Sequence, residues 1–202
     1  VLSVRIGARY TDETRKAAYF SAARLYANRA LVVKPAGAEG HYAEALSLAN
    51  QATLLTARGR LLAYREMKGH VQAAVEARPT WADAWQLLGR WHYRVDHYNL
   101  LERAFSRVFL GGVPGGASTR RAIEALSRAH ELEPQRIQFA YDLARVHLNQ
   151  SQRSQAVAVL QEAVAVVPVT ADELELSRRC RRLLEHLNRQ LRRQISRRLK
   201  SL

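Results

Sequence analysis

The sequence is poor in cysteine, proline and aromatic residues. Its 202 residues include one Cys, five Pro and 7% aromatic side chains. The lone cysteine, Cys180, excludes an intrachain disulfide, and without a Cys pair or an H-E-x-x-H motif we expect no metal site and no cofactor. No stretch alternates polar and apolar residues, so we expect almost no strand. No Gly-rich loop carrying Lys-Ser/Thr follows a strand, which argues against a P-loop and favours a non-enzymatic protein.

Long apolar runs are also missing. No run approaches the roughly 18 residues that a membrane-spanning helix requires. The chain begins Val1-Leu2-Ser3 without a methionine, so we expect the natural N-terminus to be missing. The sequence therefore leaves the localisation open between the cytoplasm and export to the periplasm.

Good helix formers and positive charge are abundant. Ala, Leu, Arg, Gln and Glu dominate the composition, which favours an all-α fold. The net charge is +14, from 32 Lys and Arg against 18 Asp and Glu. Ten of the basic residues fall in 178–202 beside one acid, Glu185. The body is therefore mildly basic and the C-terminal segment strongly so.

An internal repeat is marked by two prolines. Pro134 and Pro168 lie 34 residues apart, and each follows an Ala by five residues, a Leu by eight and an Ala by twelve. These small and apolar residues are Ala129, Leu126 and Ala122 before Pro134, and Ala163, Leu160 and Ala156 before Pro168. Pro35 and Pro79 end weaker copies of the pattern. Small residues let two helices cross closely, and proline stops the second one.

A matching pattern opens the preceding helices. Trp85-x-x-Leu88-Gly89-x-x-His92 and Ala140-x-x-Leu143-Ala144-x-x-His147 share one spacing of large, small and ring-bearing residues. The period and both patterns are those of the tetratricopeptide repeat (TPR). We therefore predict one domain over 1–202, an all-α TPR-like superhelix (solenoid) of about four helical hairpins with an inserted helix and a long C-terminal capping helix. The predicted helices are 11–33, 39–57, 60–77, 81–97, 99–110, 118–132, 136–150, 153–166 and 171–200.

The repeat spacing is interrupted over about 98–118. Leu100, Leu101, Phe105 and Phe109 form part of a helical apolar stripe there, and a Gly-rich loop, Gly111–Gly116, follows it. The insertion is either a patch on the flank of its repeat or a lid or wall of a ligand groove. Arg90 and Glu102 could fix it by an ion pair.

The same region resembles one TPR family. Gly89-Arg90-Trp91-His92, then Leu101-Glu102-Arg103 and the Phe109…Gly111…Pro114 loop, is similar to the regulator-of-microtubule-dynamics family, most closely over 81–134. The resemblance implies an all-α domain that binds partners rather than catalysing a reaction. Eukaryotic members are linked to microtubules, organelle contact sites and phospholipid binding. The Ala- and Arg-rich composition predicts a bacterial member.

The concave face of a TPR protein is lined by the first helices of its repeats, and the register predicts which side chains face it. We expect a groove that binds an extended acidic peptide or partner tail, because Arg grips carboxylates and Tyr offers a rigid surface. An anionic phospholipid held by the groove and inserted helix is the alternative. The predicted groove residues are Tyr42, Gln86, Arg90, Tyr93, Arg94, Gln138, Tyr141, Arg145 and Asn149, with Glu39 and Asn50 beside Tyr42.

The C-terminal segment, 170–202, combines a leucine stripe with arginine. Its first turns should cap the repeats. The rest is a solvated tail, a contact with an anionic membrane surface, or a pairing element for a partner helix; nucleic acid is disfavoured because no binding motif accompanies the charge. Cys180 lies either among arginines that lower its pKa or, more simply, in the apolar stripe. The sequence leaves the oligomeric state open.

Overall fold

The fold is entirely helical over the residues that the structure describes. This computed structural model describes the backbone of residues 1–199 and the side chains of 1–191. Ten helices occupy that range, and it contains no strand. They are α1 (Leu2–Gly7), α2 (Glu13–Val33), α3 (Ala38–Gln51), α4 (Ala57–Ala77), α5 (Ala82–Asp96), α6 (Leu100–Phe109), α7 (Thr119–Leu132), α8 (Ile137–Asn149), α9 (Arg153–Ala165) and α10 (Ala171–Leu199).

Proline marks the helix ends as the repeat predicts. Pro35, Pro79 and Pro134 each lie two residues beyond the last residue of a helix, and Pro168 lies three beyond. Two of the described boundaries differ from prediction by more than two residues. The helix predicted over 39–57 is α3, which ends earlier, at Gln51. The helix predicted over 60–77 is α4, which begins earlier, at Ala57. The Thr56 hydroxyl accepts a hydrogen bond from the Gly59 N–H (3.4 Å) and so caps α4 earlier than expected.

The chain forms two compact units, Val1–Ala125 and Leu126–Leu202, with the boundary inside α7. In the first unit, α3 and α4 pack as a hairpin, and α5 packs against α4. Small residues are fully buried there, including Ala45, Ala74 and Ala84. Trp91 fills the space beside them, and its indole N–H donates to the Tyr64 carbonyl at 2.7 Å. This is the large-against-small packing that the spacing predicts.

The second unit pairs α8 with α9 and adds α10 against both. Ala140, Ala144, Ala156 and Ala163 have no exposed surface, and neither has Cys180. Leu176, Leu183, Leu184 and Leu187 from α10 pack on this core. The first turns of α10 therefore cap α8 and α9 as predicted, whereas side chains beyond Leu191 and residues 200–202 lie outside the described part. None of the described helices is both long and apolar enough to cross a membrane.

Candidate functional site

Helix α5 carries four of the predicted groove residues, and the structure uses them differently. Arg90 is exposed, whereas Gln86 is buried at 7% exposure. Tyr93 is half-buried and its ring lies 4.2 Å from that of His97, between centroids. Arg94 is half-buried and engaged in an ion pair. Within this helix, Arg90 is the residue most available to a partner.

The ion pair of Arg94 fixes the inserted helix α6. Its guanidinium donates to Glu102 at 2.6 Å and 3.4 Å, and Arg60 donates to the same carboxylate at 3.3 Å. Arg94 also lies over the rings of Tyr64 and Tyr98, at 5.8 Å and 5.3 Å from their centroids. The sequence predicted an ion pair between Arg90 and Glu102. That prediction is wrong, because Glu102 pairs with Arg94, which lies one turn after Arg90.

Glu102 is also part of the cap of α6. The Asn99 side chain accepts from the Glu102 N–H at 2.8 Å, and Glu102 accepts from the Asn99 N–H at 2.9 Å. This reciprocal pair is a capping box. Burial raises the pKa of Glu102, but hydrogen bonds from Arg94 and the Asn99 backbone outweigh burial and leave the pKa below its usual range. One carboxylate thus starts α6 and ties it to α4 and α5.

An apolar cleft of about 490 Å³ lies between α6 and the start of α4. On the α6 side its walls include Leu101, Val108 and Phe109, which are exposed by 81%, 72% and 67%. Phe105 also lines the cleft and packs against the core of the first unit. The insertion is therefore both a patch on its repeat and one wall of a cleft.

The loop after α6 is held at both ends. Gly111, Gly112 and Gly116 have positive φ of 70°, 102° and 83°, which favours glycine at each. The Gly112 carbonyl accepts from Arg65 at 3.0 Å. At the far end, the Asp96 carboxylate accepts from the backbone N–H and hydroxyl of Thr119, at 2.8 Å and 2.6 Å, at the start of α7. These two hydrogen bonds fix the end of the insertion, at the start of α7, to the end of α5.

Helix α8 presents the other predicted face. Gln138, Arg145 and Asn149 are exposed, and Tyr141 is half-buried. Gln138 donates to Asp142 at 3.0 Å. The guanidinium of Arg145 lies 5.8 Å from the Tyr141 ring centroid, a cation–π arrangement that orders both side chains.

Helix α3 offers little of the surface predicted for it. Tyr42 is 7% exposed and its ring lies 4.5 Å from that of Trp81, between centroids. Glu39 pairs with Arg78. The Asn50 side chain donates to the Leu46 carbonyl at 2.8 Å. Tyr42 and Glu39 are thus engaged with residues at and beyond the end of α4, and Asn50 with its own helix.

Arg90 and Arg145 occupy one position of the repeat. Each is the ninth residue of its helix, counted from Ala82 in α5 and from Ile137 in α8. The two residues before each arginine also match. They are Leu88 and the buried Gly89 in α5, and Leu143 and the buried Ala144 in α8. Both arginines are exposed. The first helices of two repeats thus present the same cation at the same register.

One polar cluster was not predicted. Arg24 of α2 pairs with Glu44 of α3 and Glu66 of α4, and the Nδ1 atoms of His41 and His70 lie 3.0 Å apart beside them. Burial raises the pKa of Glu44 although Arg24 hydrogen-bonds to it. Burial and then His41 lower the pKa of His70. The available sequence signal was the spacing His41-x-x-Glu44 and Glu66-x-x-x-His70, which puts each pair on one helix face.

Comparison with known proteins identifies the family. The family model described as Regulator of microtubule dynamics protein 1-3 matches residues 2–188. The chain belongs to this family. Within the regulator of microtubule dynamics family, similar curated relatives are the protein 3 members of Mus musculus and Bos taurus, 36% and 37% identical over 67 residues. Each alignment covers 33% of this chain and 14% of the relative's length.

Solved structures show the fold of this regulator of microtubule dynamics family member. A crystal structure of MamA matches with a TM-score of 0.55 and 15% identity, covering 94% of this chain and 88% of that one. TTC0263, a thermophilic TPR protein of Thermus thermophilus, matches with a TM-score of 0.53 and 16% identity, covering 88% and 79%. The predicted all-α TPR-like solenoid class is confirmed.

Proposed function

We propose that this chain is a non-enzymatic adaptor that binds an extended acidic peptide, or the acidic tail of a partner protein, on the first helices of its repeats. The observation that supports this is the pair of exposed arginines, Arg90 and Arg145, at one position of the repeat. A guanidinium donates two parallel hydrogen bonds to a carboxylate. A net charge of +14 also favours an acidic partner.

The face of α8 has the dimensions of a short peptide. Gln138, Tyr141, Arg145 and Asn149 recur every three or four residues along one side of the helix. They extend over about 16 Å at 1.5 Å per residue. An extended peptide of about five residues has that length. The proposed contacts are an acidic side chain on Arg145, an apolar or aromatic group on Tyr141, and peptide groups on the amides of Gln138 and Asn149.

The expected affinity is modest and salt-sensitive. An exposed ion pair contributes about 0.2–1 kcal/mol because water screens it. A contact on either helix, through Arg90 on α5 or through Arg145 with Tyr141 on α8, therefore weakens as ionic strength rises. Within α5, Gln86 and Arg94 have roles in the fold, so Arg90 carries the contact proposed there, with Tyr93 beside it.

Fluorescence anisotropy with a labelled ten-residue Asp/Glu peptide tests the proposal. We expect the triple variant Arg90→Ala/Tyr141→Ala/Arg145→Ala to bind several-fold, up to about tenfold, more weakly than the wild type, since about 1.4 kcal/mol is tenfold. The control is Arg120→Ala/Arg128→Ala, which removes the same charge from side chains of α7 that are 84% and 49% exposed. Equal weakening in both variants would show that net charge alone attracts the peptide, and unchanged binding in the triple variant would reject the proposal.

A second candidate is binding of an anionic phospholipid at α6, which the apolar cleft of about 490 Å³ favours. That volume lies within the usual range for ligand sites. Arg60 lines the cleft and could meet the headgroup. Native mass spectrometry after incubation with phosphatidylserine vesicles tests it. We expect a bound lipid that Val108→Asp/Phe109→Asp removes, and a wild-type protein that stays lipid-free would exclude this function.

A further inference from the structure

Four side chains of α3 and α4, His41, Glu44, Glu66 and His70, face one another in the first unit and are called here the His–Glu cluster. One ligand atom each from Glu44, Glu66 and His70 lies within 4.8 Å of the others. His41 and His70 are joined through their Nδ1 atoms at 3.0 Å. Carboxylate oxygens and imidazole nitrogens are the donors that Zn²⁺ takes in helical proteins.

Helical spacing holds these donors in place. His41 and Glu44 are three residues apart on α3, and Glu66 and His70 are four apart on α4, so each pair shares a helix face. α3 and α4 pack against each other as a hairpin. Metal centres in helical bundles are built from Glu and His side chains on facing helices.

Glu44 is an unusual residue for the interior of this hairpin. It is 1% exposed, and its Oε1 atom accepts from Arg24 at 2.7 Å. Its other oxygen, Oε2, is buried without a hydrogen-bond partner. A buried carboxylate oxygen without a partner is costly. Arg24 also pairs with Glu66, so one positive charge faces two carboxylates.

We propose that the His–Glu cluster binds a divalent transition metal, with Zn²⁺ as the best match to its donors. Glu44, Glu66 and His70 are the ligands. A divalent metal carries two positive charges where Arg24 carries one, so it neutralises both carboxylates. Because Nδ1 of His70 is joined to His41, the metal binds the other ring nitrogen, Nε2. His41 is then a positioning residue that fixes the ring and tautomer of His70.

Metal binding requires Arg24 to leave the carboxylates. Its side chain is 33% exposed, so it can turn into solvent without a change in the backbone of α2. The donor atoms must also move closer. Tetrahedral zinc with bonds of about 2.0 Å has ligands about 3.3 Å apart, so donor atoms that lie within 4.8 Å of one another must still approach by side-chain rotation. Arg24 and the metal thus compete for one place.

The competition makes the proposal testable with the metal alone. Untagged, chelator-treated protein is titrated with ZnCl₂ by calorimetry, and Co²⁺ absorption spectra report the coordination. We expect one site per chain that is lost in Glu44→Gln and His70→Ala and weakened about 10–100-fold in His41→Ala, as for other partners of a ligating histidine. Arg24→Gln should bind Zn²⁺ more tightly than the wild type, which a role for Arg24 in folding alone would not produce.

The matched control is His186→Asn, which removes an exposed histidine of α10 that is bonded to Gln190. This variant should bind Zn²⁺ as the wild type does. Glu44→Gln changes a buried side chain, so Glu66→Gln serves as a second ligand variant if the first fails to fold. The Glu66 side chain is 44% exposed, and its replacement should leave the core intact. An absence of Zn²⁺ binding in both the wild type and Arg24→Gln would overturn the proposal, as would unchanged binding in folded Glu66→Gln and His70→Ala. Peptide binding at Arg90 and Arg145 is a separate measurement that neither result decides.

Discussion

Replacing Arg94 with Met should detach the inserted helix from its repeat. Arg94 donates two hydrogen bonds to Glu102, whose carboxylate is 4% exposed. Met keeps an unbranched apolar chain between Tyr64 and Tyr98 but removes the charge. Glu102 would retain only Arg60, at 3.3 Å, and the Asn99 N–H, at 2.9 Å. A buried carboxylate would therefore lose its shortest and strongest partner.

The size of the effect follows from the burial of the two partners. Removing one partner of a fully buried pair costs about 3–5 kcal/mol because the other charge is left uncompensated. Arg94 is 32% exposed, and Glu102 keeps two partners, so we expect about 2 kcal/mol. The pair also depends on pH. The folded pKa of Glu102 is lowered, so its stabilisation is present above the unfolded pKa of about 4.3 and is lost as pH falls through the folded pKa.

Urea unfolding at pH 7 measures the loss, and hydrogen exchange of the α6 amides shows whether that helix opens first. The control is Arg90→Met on the exposed face of the same helix, which should change the free energy of unfolding by less than about 0.5 kcal/mol. The difference in stability between the two variants should shrink as the pH falls below about 4.3, through the lowered folded pKa of Glu102. Equal stability of both variants at pH 7, with unchanged exchange in α6, would refute this account of how the insertion is held.

Three further results are expected. Burial, and then Arg121, lower the pKa of His92, so folding stability should fall as pH drops below the unfolded value of about 6.5, and His92→Gln should reduce that slope in urea titrations at pH 7.5 and 5.5. Burial raises the pKa of Cys180 to about 11, so the native thiol should react slowly with a disulfide reagent at pH 8 and rapidly in urea; fast native labelling would contradict its burial. Ala74→Leu, at a fully buried position, should cost about 1–3 kcal/mol in thermal unfolding through overpacking, whereas Ala77→Leu at the exposed end of α4 should not.

The helical pairs were predictable because their signals are local. A proline two or three residues beyond a helix and an alanine at the crossing mark each pair in the sequence, and Ala129, Ala140 and Ala163 are fully buried as the pattern requires. Helix α1, Leu2–Gly7, was missed. It is six residues long and has no side-chain cap, so it depends on packing against α2 and not on its own sequence.

The site was predictable only as far as the register allows. Spacing places Arg90 and Arg94 one turn apart on the same side of α5, and it cannot show which of them meets Glu102. Tyr42 and Gln86 have the right register, yet neighbouring helices bury them. The His–Glu cluster was overlooked because its four members come from two helices 29 residues apart at His41 and His70, and no single motif contains them.

The attachment of α6 by its first turn and its following loop has a consequence for variation in this chain. Leu101, Val108 and Phe109 contribute little to the stability of the fold, because most of their surface is in water. Substitutions of these exposed side chains should therefore leave the fold intact as long as Asn99, Glu102 and their partners are kept. We expect changes on this surface to alter what the chain binds without altering how it folds, because binding residues are carried on a framework that stays constant.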